Sequence, residues 1–173
     1  IVDSDENEEV RYDNNNASKS LLVRPQYGLE LAIAESSKTV DVNNAAVFEL
    51  NITNMGLQVD NYNISVEVMN PQWDISFPTV IESVESNKTS DFQVSFTPKD
   101  NVTAAEHLFT IIATSQGNTS RFDSTIVGIT LNQYYGLKLV MPLDFQKVFP
   151  GNTLFYPVKI INEGNGCLLY TSP

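Results

Sequence analysis

Two nearly identical pentapeptides stand far apart in this chain: YGLEL at 27–31 and YGLKL at 135–139. Aligned without a gap, residues 27–56 and 135–164 share nine identities in 30 positions. The matching positions are mainly apolar and turn residues, while the surface positions differ, which is typical of tandem copies of one fold. The register is kept far beyond the pentapeptide, so the chain is predicted to contain tandem repeats, with residue 135 equivalent to residue 27.

The period that brings residue 27 onto residue 135 is too long for a solenoid unit and matches one small β-sandwich of about 100 residues. Residues 27–132 are therefore predicted to form one complete copy, and residues 133–173 the truncated start of the next. Residues 1–26 are expected to be the end of a preceding repeat or a linker. The segment CLLYTSP at 167–173 looks like translated adaptor sequence, so we expect it not to be native.

Strand signals dominate the complete copy. In VFELNIT, the apolar residues Phe48, Leu50 and Ile52 share one parity, and the segments NYNISVEV and DFQVSFT alternate in the same way. The segment HLFTIIATS is apolar on both parities, which predicts a central strand covered on both faces. No long window has the 3.6-residue period of a helix. The pattern predicts an all-β, immunoglobulin-like antiparallel β-sandwich with seven to nine strands.

Four short motifs follow one another in this copy. They are an N-x-G turn, a D-x-Y entry into a strand, a Trp after a Pro, and a T-P pair, at Asn54 and Gly56, Asp60 and Tyr62, Pro71 and Trp73, and Thr97 and Pro98. With these motifs, residues 37–132 and the fragment after 146 resemble the NPCBM-associated and CARDB-like immunoglobulin-fold domains. The resemblance implies tandem domains on prokaryotic cell-surface and secreted proteins, and it brings no catalytic residues with it. The segment VIESVESNKTS departs from the family, which usually has Pro-Gly there.

The charge balance limits the classes of partner. The chain has 21 acidic against 10 Lys and Arg residues, a net charge of −11, and a nucleic acid or an anionic membrane would need a basic surface. No apolar run approaches the roughly 18 residues of a membrane span. The expected partners are neighbouring repeats of the same chain and surface proteins or glycans, with no nucleic acid and no membrane insertion. The acidic run DSDENEE is predicted to be a solvated loop, because the EF-hand pattern that it imitates lacks its Gly and Glu.

Few residues are candidates for chemistry. His107 is the only histidine and Cys167 the only cysteine, so no zinc constellation and no internal disulfide are expected. His107 is interpreted as structural or at the surface, and Trp73 as a core residue in preference to a sugar-stacking platform. Tyr134 and Tyr135 are predicted to lie at the domain junction, with a ligand-facing aromatic patch as the alternative. We predict no catalytic, cofactor-binding or metal-binding residues, and no cofactor.

The sequence contains an excess of N-x-S/T sequons, which are acceptors for N-glycosylation. The six candidates are Asn16, Asn51, Asn63, Asn87, Asn101 and Asn118. Asn51 and Asn63 fall on the outward parity of their predicted strands, and the other four fall in predicted turns. The alternative is an Asn-, Ser- and Thr-rich β surface without sugar.

Three functions are compatible with this pattern. The leading hypothesis is a non-enzymatic repeat of a large extracellular or cell-surface protein that acts as a structural spacer, stalk or adhesive module. The second is an accessory sandwich of a secreted hydrolase whose catalytic domain lies elsewhere in the parent chain. The third is a carbohydrate- or calcium-binding lectin-like sandwich. The full parent sequence distinguishes the first two, and a ligand titration tests the third.

Overall fold

The computed structural model describes residues 24–67, 72–100, 102–141 and 145–166. The sequons at Asn16 and Asn101, the acidic run near the N-terminus, Pro71 and the tail after residue 166 lie outside these residues. The described part contains no helix, so it has none long and apolar enough to cross a membrane. Its strands are β1 Leu29–Ile33, β2 Ser37–Val40, β3 Ala46–Asn54, β4 Asp60–Glu67, β5 Trp73–Ser76, β6 Val80–Val84, β7 Thr89–Pro98, β8 Glu106–Ser115, β9 Phe122–Leu131, β10 Leu137–Val140 and β11 Lys159–Asn162.

Strands β1 to β9 form two sheets with a shared core. The four-stranded sheet has the order β1-β3-β7-β5, and the five-stranded sheet has the order β2-β9-β8-β4-β6. All pairs are antiparallel except β2 with β9, which run parallel. The prediction of an all-β, immunoglobulin-like sandwich is confirmed, with nine strands in its two sheets. The strands β10 and β11 form a separate two-stranded sheet.

Alternation along the strands builds the core. In β3, Phe48, Leu50 and Ile52 are buried, as their shared parity predicts. Phe48 and Phe96 meet edge to face across the β3–β7 pair, with ring centroids 5.8 Å apart. The buried apolar residues are Leu31, Ala46, Phe48, Leu50, Ile52, Tyr62, Ile64, Trp73, Ile81, Val84, Phe92, Val94, Phe96, Val102, Phe109, Ile111, Ala113, Val127, Ile129 and Leu131.

The prediction that β8 is covered on both faces is wrong. The strand is central in its sheet, between β9 and β4, and Phe109 and Ile111 are buried on the inner face. Leu108, on the opposite parity, is 54% exposed. Only the inner face of this sheet meets the other sheet, so the outward apolar residues of β8 lie on a surface. Apolar and β-branched residues favour strands even where one face is open, so composition alone did not reveal the open face.

The parallel strand pair closes the sandwich. The chain leaves the four-stranded sheet after Ile33 and enters the five-stranded sheet at Ser37. From there β2 pairs with β9, with Ser37 opposite Gly128 at one end and Val40 opposite Leu131 at the other. A strand from the start of the sandwich and the strand that ends it are therefore direct neighbours.

Candidate functional site at the junction turns

The turn after β3 is built around one buried polar side chain. Asn54 is 0% exposed, and its Nδ2 donates to the carbonyl oxygens of Gln58 and Val84 at 2.8 Å and 2.7 Å. Its Oδ1 accepts the backbone N–H of Gly56 at 2.8 Å. Both ends of the buried amide are thereby satisfied, as a polar group inside a protein requires. The N-x-G motif is thus a side-chain-stabilised turn.

Gly56 allows the segment before β1 to pack closely on this turn. A Cβ at this position would lie 2.6 Å from the carbonyl oxygen of Gln26 and 2.8 Å from Cα of Tyr27. Those contacts are with backbone atoms, so a side chain cannot be accommodated by a rotamer change. The backbone N–H of Met55 also donates to the carbonyl oxygen of Gly28 at 3.0 Å.

The same turn recurs after β11, at the positions that the sequence alignment makes equivalent. The Nδ2 of Asn162 donates to the carbonyl oxygen of Gly166 at 2.7 Å, and its Oδ1 accepts the N–H of Gly164 at 2.9 Å. The N–H of Glu163 donates to the carbonyl oxygen of Gly136 at 2.9 Å. Each of these bonds has its counterpart at the equivalent position of the first turn.

The close backbone approach and the strand register recur as well. A Cβ on Gly164 would lie 2.6 Å from the carbonyl oxygen of Tyr134, which is the counterpart of Gln26. We call β1 with β3 the first strand pair, and β10 with β11 the second strand pair. Four equivalent residue pairs are shared: Leu29–Asn54, Glu30–Thr53, Leu31–Ile52 and Ala32–Asn51 in the first, and Leu137–Asn162, Lys138–Ile161, Leu139–Ile160 and Val140–Lys159 in the second.

Asn165 connects the second turn to the sandwich. Its Oδ1 accepts the N–H of Tyr134 at 2.8 Å, and its Nδ2 donates to the carbonyl oxygen of Asn132 at 2.9 Å. Its backbone carbonyl accepts the N–H of Ala104, in the loop before β8, at 3.0 Å. Asn165 is only 7% exposed. The structure thus places Tyr134 in this contact, whereas Tyr135 is 82% exposed.

Residues 132–134, the linker that follows β9, also form hydrogen bonds with the sandwich. The backbone N–H of Asn132 donates to the carbonyl oxygen of Val40 at 2.9 Å, and its side-chain Nδ2 donates to Oδ1 of Asp41 at 2.8 Å. Residues 132–134 are therefore bonded to the end of β2 as well as to Asn165.

Sequence reasoning missed Asn165 because the aligned segment ends at Gly164. At the next position the alignment would place Leu57, an apolar residue, opposite Asn165. A polar residue that replaces an apolar one at an equivalent turn position is the signal that would have drawn attention to Asn165.

A second polar network lies at the start of β4. Asp60 is buried, its Oδ2 accepts the hydroxyl of Ser115, and its Oδ1 accepts the N–H of Gly117 at 3.0 Å. The hydroxyl of the fully buried Tyr62 donates to the carbonyl oxygen of Gly28 at 3.2 Å. Burial raises the pKa of Tyr62 well above its ordinary value, and the negative charge of Asp60 raises it further. The D-x-Y motif therefore ties β4 to the β8–β9 turn and to the entrance of β1.

Trp73, in the core, contacts the half-buried His107 at the start of β8. Trp73 is buried, which confirms its prediction as a core residue, and its ring lies edge to face with Phe109 at 5.2 Å. The imidazole of His107 contacts the same indole at 5.2 Å, and its Nε2 is 3.0 Å from the carbonyl oxygen of Thr103. The structure places His107 in a packing role beside β5.

The four described sequons differ in their surroundings. Asn63, Asn87 and Asn118 are exposed, whereas Asn51 is half-buried in β3. The Oδ1 of Asn63 accepts Nε2 of Gln116 at 2.7 Å. Their modification stays a prediction, and the exposed three are the positions where a glycan would extend into solvent.

The described residues have several open cavities of moderate size. One of about 490 Å³ lies on the four-stranded sheet beside Glu49, Asn51 and Asp91. Another of about 370 Å³ lies beside the linker, lined by Asp41, Val42, Asn43, Asp100, Asn132 and Tyr134. In the part of the chain that the structure describes, no group of three or more His, Cys, Asp or Glu residues is placed to hold a metal ion.

Comparisons with known proteins give similar solved structures. A FixG-related protein from Vibrio parahaemolyticus is similar over 61% of this chain and 96% of that chain, with 16% identity and a TM-score of 0.48. The secreted serine protease VesC from Vibrio cholerae is similar over 61% of this chain and 23% of that chain, with 14% identity and a TM-score of 0.42. The SrpA adhesin from Streptococcus sanguinis is similar over 61% of this chain and 58% of that chain, with 18% identity and a TM-score of 0.42.

No protein-family model matches the sequence, and no curated protein matches it. The resemblance to NPCBM-associated and CARDB-like domains therefore stays a prediction.

Proposed function

We propose that this chain is a non-enzymatic spacer module of a large extracellular surface protein, built from tandem sandwiches. The NPCBM-associated and CARDB-like resemblance belongs to this proposal. Its role is to hold other parts of the parent protein at a distance and to resist tension along the array.

The recurrence of the first strand pair supports the tandem arrangement. At the offset that aligns residue 27 with residue 135, the second strand pair repeats the register, the turn bonds and the close glycine contact. Two unrelated segments would not share these features together. We propose that the second strand pair begins another copy of the sandwich.

The observation that carries the spacer role is the parallel direction of the first and last strands. Leu31 donates its N–H to Oδ2 of Asp123 at 2.8 Å, near the start of β9, and Val40 lies opposite Leu131 at its end. Both β1 and β2 thus run in the direction of β9. The chain enters at one end of the sandwich and leaves from the other, which suits an end-to-end array. A ten-residue strand such as β9 spans roughly 33 Å, which sets the length added per copy.

The same direction determines how tension acts on the sandwich. Force applied at residue 28 and at residue 132 pulls β2 and β9 in opposite directions along their axes. The backbone hydrogen bonds between them are then loaded together and not one after another. They include the bond from the N–H of Gly128 to the carbonyl oxygen of Ser36, at 2.8 Å.

Glycans on the exposed sequons are part of the proposed spacer. Asn87 lies in the β6–β7 turn and Asn118 in the β8–β9 turn, away from the strand edges that pair in the sandwich. Together with the net charge of −11, glycans there would keep neighbouring arrays apart. Mass spectrometry of glycopeptides from native material tests this part, and unmodified peptides at all sites would refute it.

Single-molecule force spectroscopy on the full chain tests the spacer role. Handles at the two termini would pull the sandwich along the direction described above. The variant Lys38→Pro removes an N–H from the middle of β2, and we expect it to unfold at a clearly lower force than the native chain. The matched control Ser76→Pro places proline in β5, an edge strand of the opposite sheet that lies outside the force path.

Under the proposal, the two variants differ in unfolding force. Lys38→Pro should lower the unfolding force, while Ser76→Pro should change it little even if it lowers thermal stability. Equal unfolding forces for the native chain and Lys38→Pro would refute resistance through the β2–β9 pair.

A further inference from the structure

We infer that Asn165 locks the joint between the sandwich and the second strand pair in one orientation, so that this joint is stiff. The joint is the short linker of residues 132–134. Hydrogen bonds on both sides of this linker support the lock. Only the treatment of the second strand pair as the start of another copy rests on the proposed function.

The linker is held from two sides. On the sandwich side, Asn132 bonds through its N–H to Val40 and through its side chain to Asp41. On the other side, Asn165 accepts from the N–H of Tyr134 and donates to the carbonyl oxygen of Asn132. A free hinge would leave these backbone groups to water, and a rotation about the linker here would break several bonds at once.

The amide of Asn165 has the chemistry that this contact needs. It offers a donor and an acceptor in one plane, as a backbone peptide group does. It can therefore bond to the N–H of Tyr134 and to the carbonyl oxygen of Asn132 at the same time. Its own carbonyl reaches Ala104 in the loop before β8, which adds a contact with the body of the sandwich at 3.0 Å. With only 7% of its surface exposed, the residue is placed to form these bonds away from competing water.

The first copy shows that the turn does not need an amide at this position. Leu57 is the counterpart of Asn165, and the turn around Asn54 forms with the same bonds. Leu57 is 56% exposed. Asn165 is therefore dispensable for the turn itself, and its bonds serve the joint. Asn165→Leu, which copies the residue of the first turn, is the substitution that separates the two roles.

Amide hydrogen exchange of the full chain by NMR provides the first measurement. In the native chain we expect the N–H groups of Tyr134 and Ala104 to exchange slowly. In Asn165→Leu their protection should fall by about tenfold or more, because the acceptor of Tyr134 is removed and the bridge to Asn132 is lost. The control is Asn152→Leu, the same substitution at an exposed asparagine whose backbone N–H donates to Phe149 and not to the joint. Unchanged protection of Tyr134 in Asn165→Leu would overturn the lock.

Distances between spin labels provide the second measurement. Labels at Ser124→Cys, on β9, and Lys159→Cys, on β11, with Cys167→Ser in the background, report the orientation of the two parts. A narrow distance distribution in the native background that broadens in Asn165→Leu supports the lock. A broad distribution in both chains, or an equally narrow one in both, overturns it. Neither result bears on unfolding force, so the spacer proposal is judged separately.

Discussion

The first and second strand pairs have the same register and the same turn, yet their apolar residues have very different surroundings. Leu31 is 8% exposed and its counterpart Leu139 is 60% exposed. Ile52 is 0% exposed, while Ile160 is 54% exposed. The comparison shows that pairing and turn geometry are determined locally, by Asn, Gly and alternation. Burial comes from distant parts of the chain.

The tyrosines before the two pairs show the same contrast. The ring of Tyr27 lies against Gly117 in the β8–β9 turn, so closely that a Cβ on Gly117 would be 2.1 Å from Cε1 of the ring. Tyr135, its counterpart, is 82% exposed. The local sequence places a tyrosine before both strand pairs, and the β8–β9 turn contacts the ring before the first pair.

The largest expected effect comes from removing the isoleucine side chain that is buried in one pair and exposed in the other. Ile52→Ala should lower the free energy of unfolding of the sandwich by about 2–5 kcal/mol, because it leaves a cavity between packed sheets. Ile160→Ala should change it by less than about 0.5 kcal/mol. Urea unfolding followed by the fluorescence of Trp73, the single tryptophan, reports the sandwich directly.

A loss above about 1 kcal/mol for Ile160→Ala would contradict the comparison. It would mean that the second strand pair contributes to the sandwich core, although Ile160 is more than half exposed.

A smaller effect is expected from the two turn asparagines. Asn54→Ala should cost about 1–3 kcal/mol of unfolding free energy, because the carbonyl oxygens of Gln58 and Val84 lose their buried donor. Asn162→Ala removes equivalent bonds at an exposed turn, where water can replace them. Its effect on the same unfolding transition should be below about 0.5 kcal/mol.

Equal losses of unfolding free energy in the two variants would contradict the comparison. They would mean that burial does not determine how much the turn contributes to stability. Circular dichroism of both variants would show whether either one fails to fold.

The smallest effect is a pH dependence of the sandwich that comes from Tyr62. Tyr62, which bonds to Gly28 at the entrance of β1, has a pKa raised by burial and by Asp60. Above the ordinary tyrosine pKa of about 10, the unfolded chain loses this proton while the folded chain keeps it. Unfolding free energy should therefore fall by about 1.4 kcal/mol per pH unit above pH 10 and be unaffected by Tyr62 below that pH.

The control for this prediction is Tyr62→Phe, which removes the titrating hydroxyl and keeps the ring. We expect it to lose this part of the alkaline slope in urea titrations between about pH 9 and 11. An unchanged slope would show that other groups cause the alkaline loss.

The sequence predicted the parts of the fold that depend on local pattern. The alternation of Phe48, Leu50 and Ile52 has a period of two, so their common burial followed from spacing alone. The parallel pairing of β2 with β9 did not follow from spacing. The segment SKTV has no apolar alternation to mark it, and its partner β9 is the last strand of the sandwich in the sequence.

The contacts of the candidate joint were least accessible to sequence reasoning. Asn165 and Asn132 are ordinary turn residues by type, and polarity alone does not indicate a buried bond. Their roles depend on how two separately formed parts meet. The repeat of YGLEL as YGLKL predicted where such a meeting occurs, and only the structure supplied its hydrogen bonds.

The pairing of β2 with β9, the last strand of the sandwich, has a consequence for synthesis on the ribosome. The ribosome completes β3 at Asn54, but β9 ends only at Leu131, so the sandwich cannot close until the remaining strands are made. At typical elongation rates the wait is roughly 4–15 s. During that time the nascent chain exposes the same apolar face that β10 and β11 expose here. Under the proposed tandem arrangement, each growing copy would pass through the same interval, and we expect the demand for chaperones to rise with the number of copies.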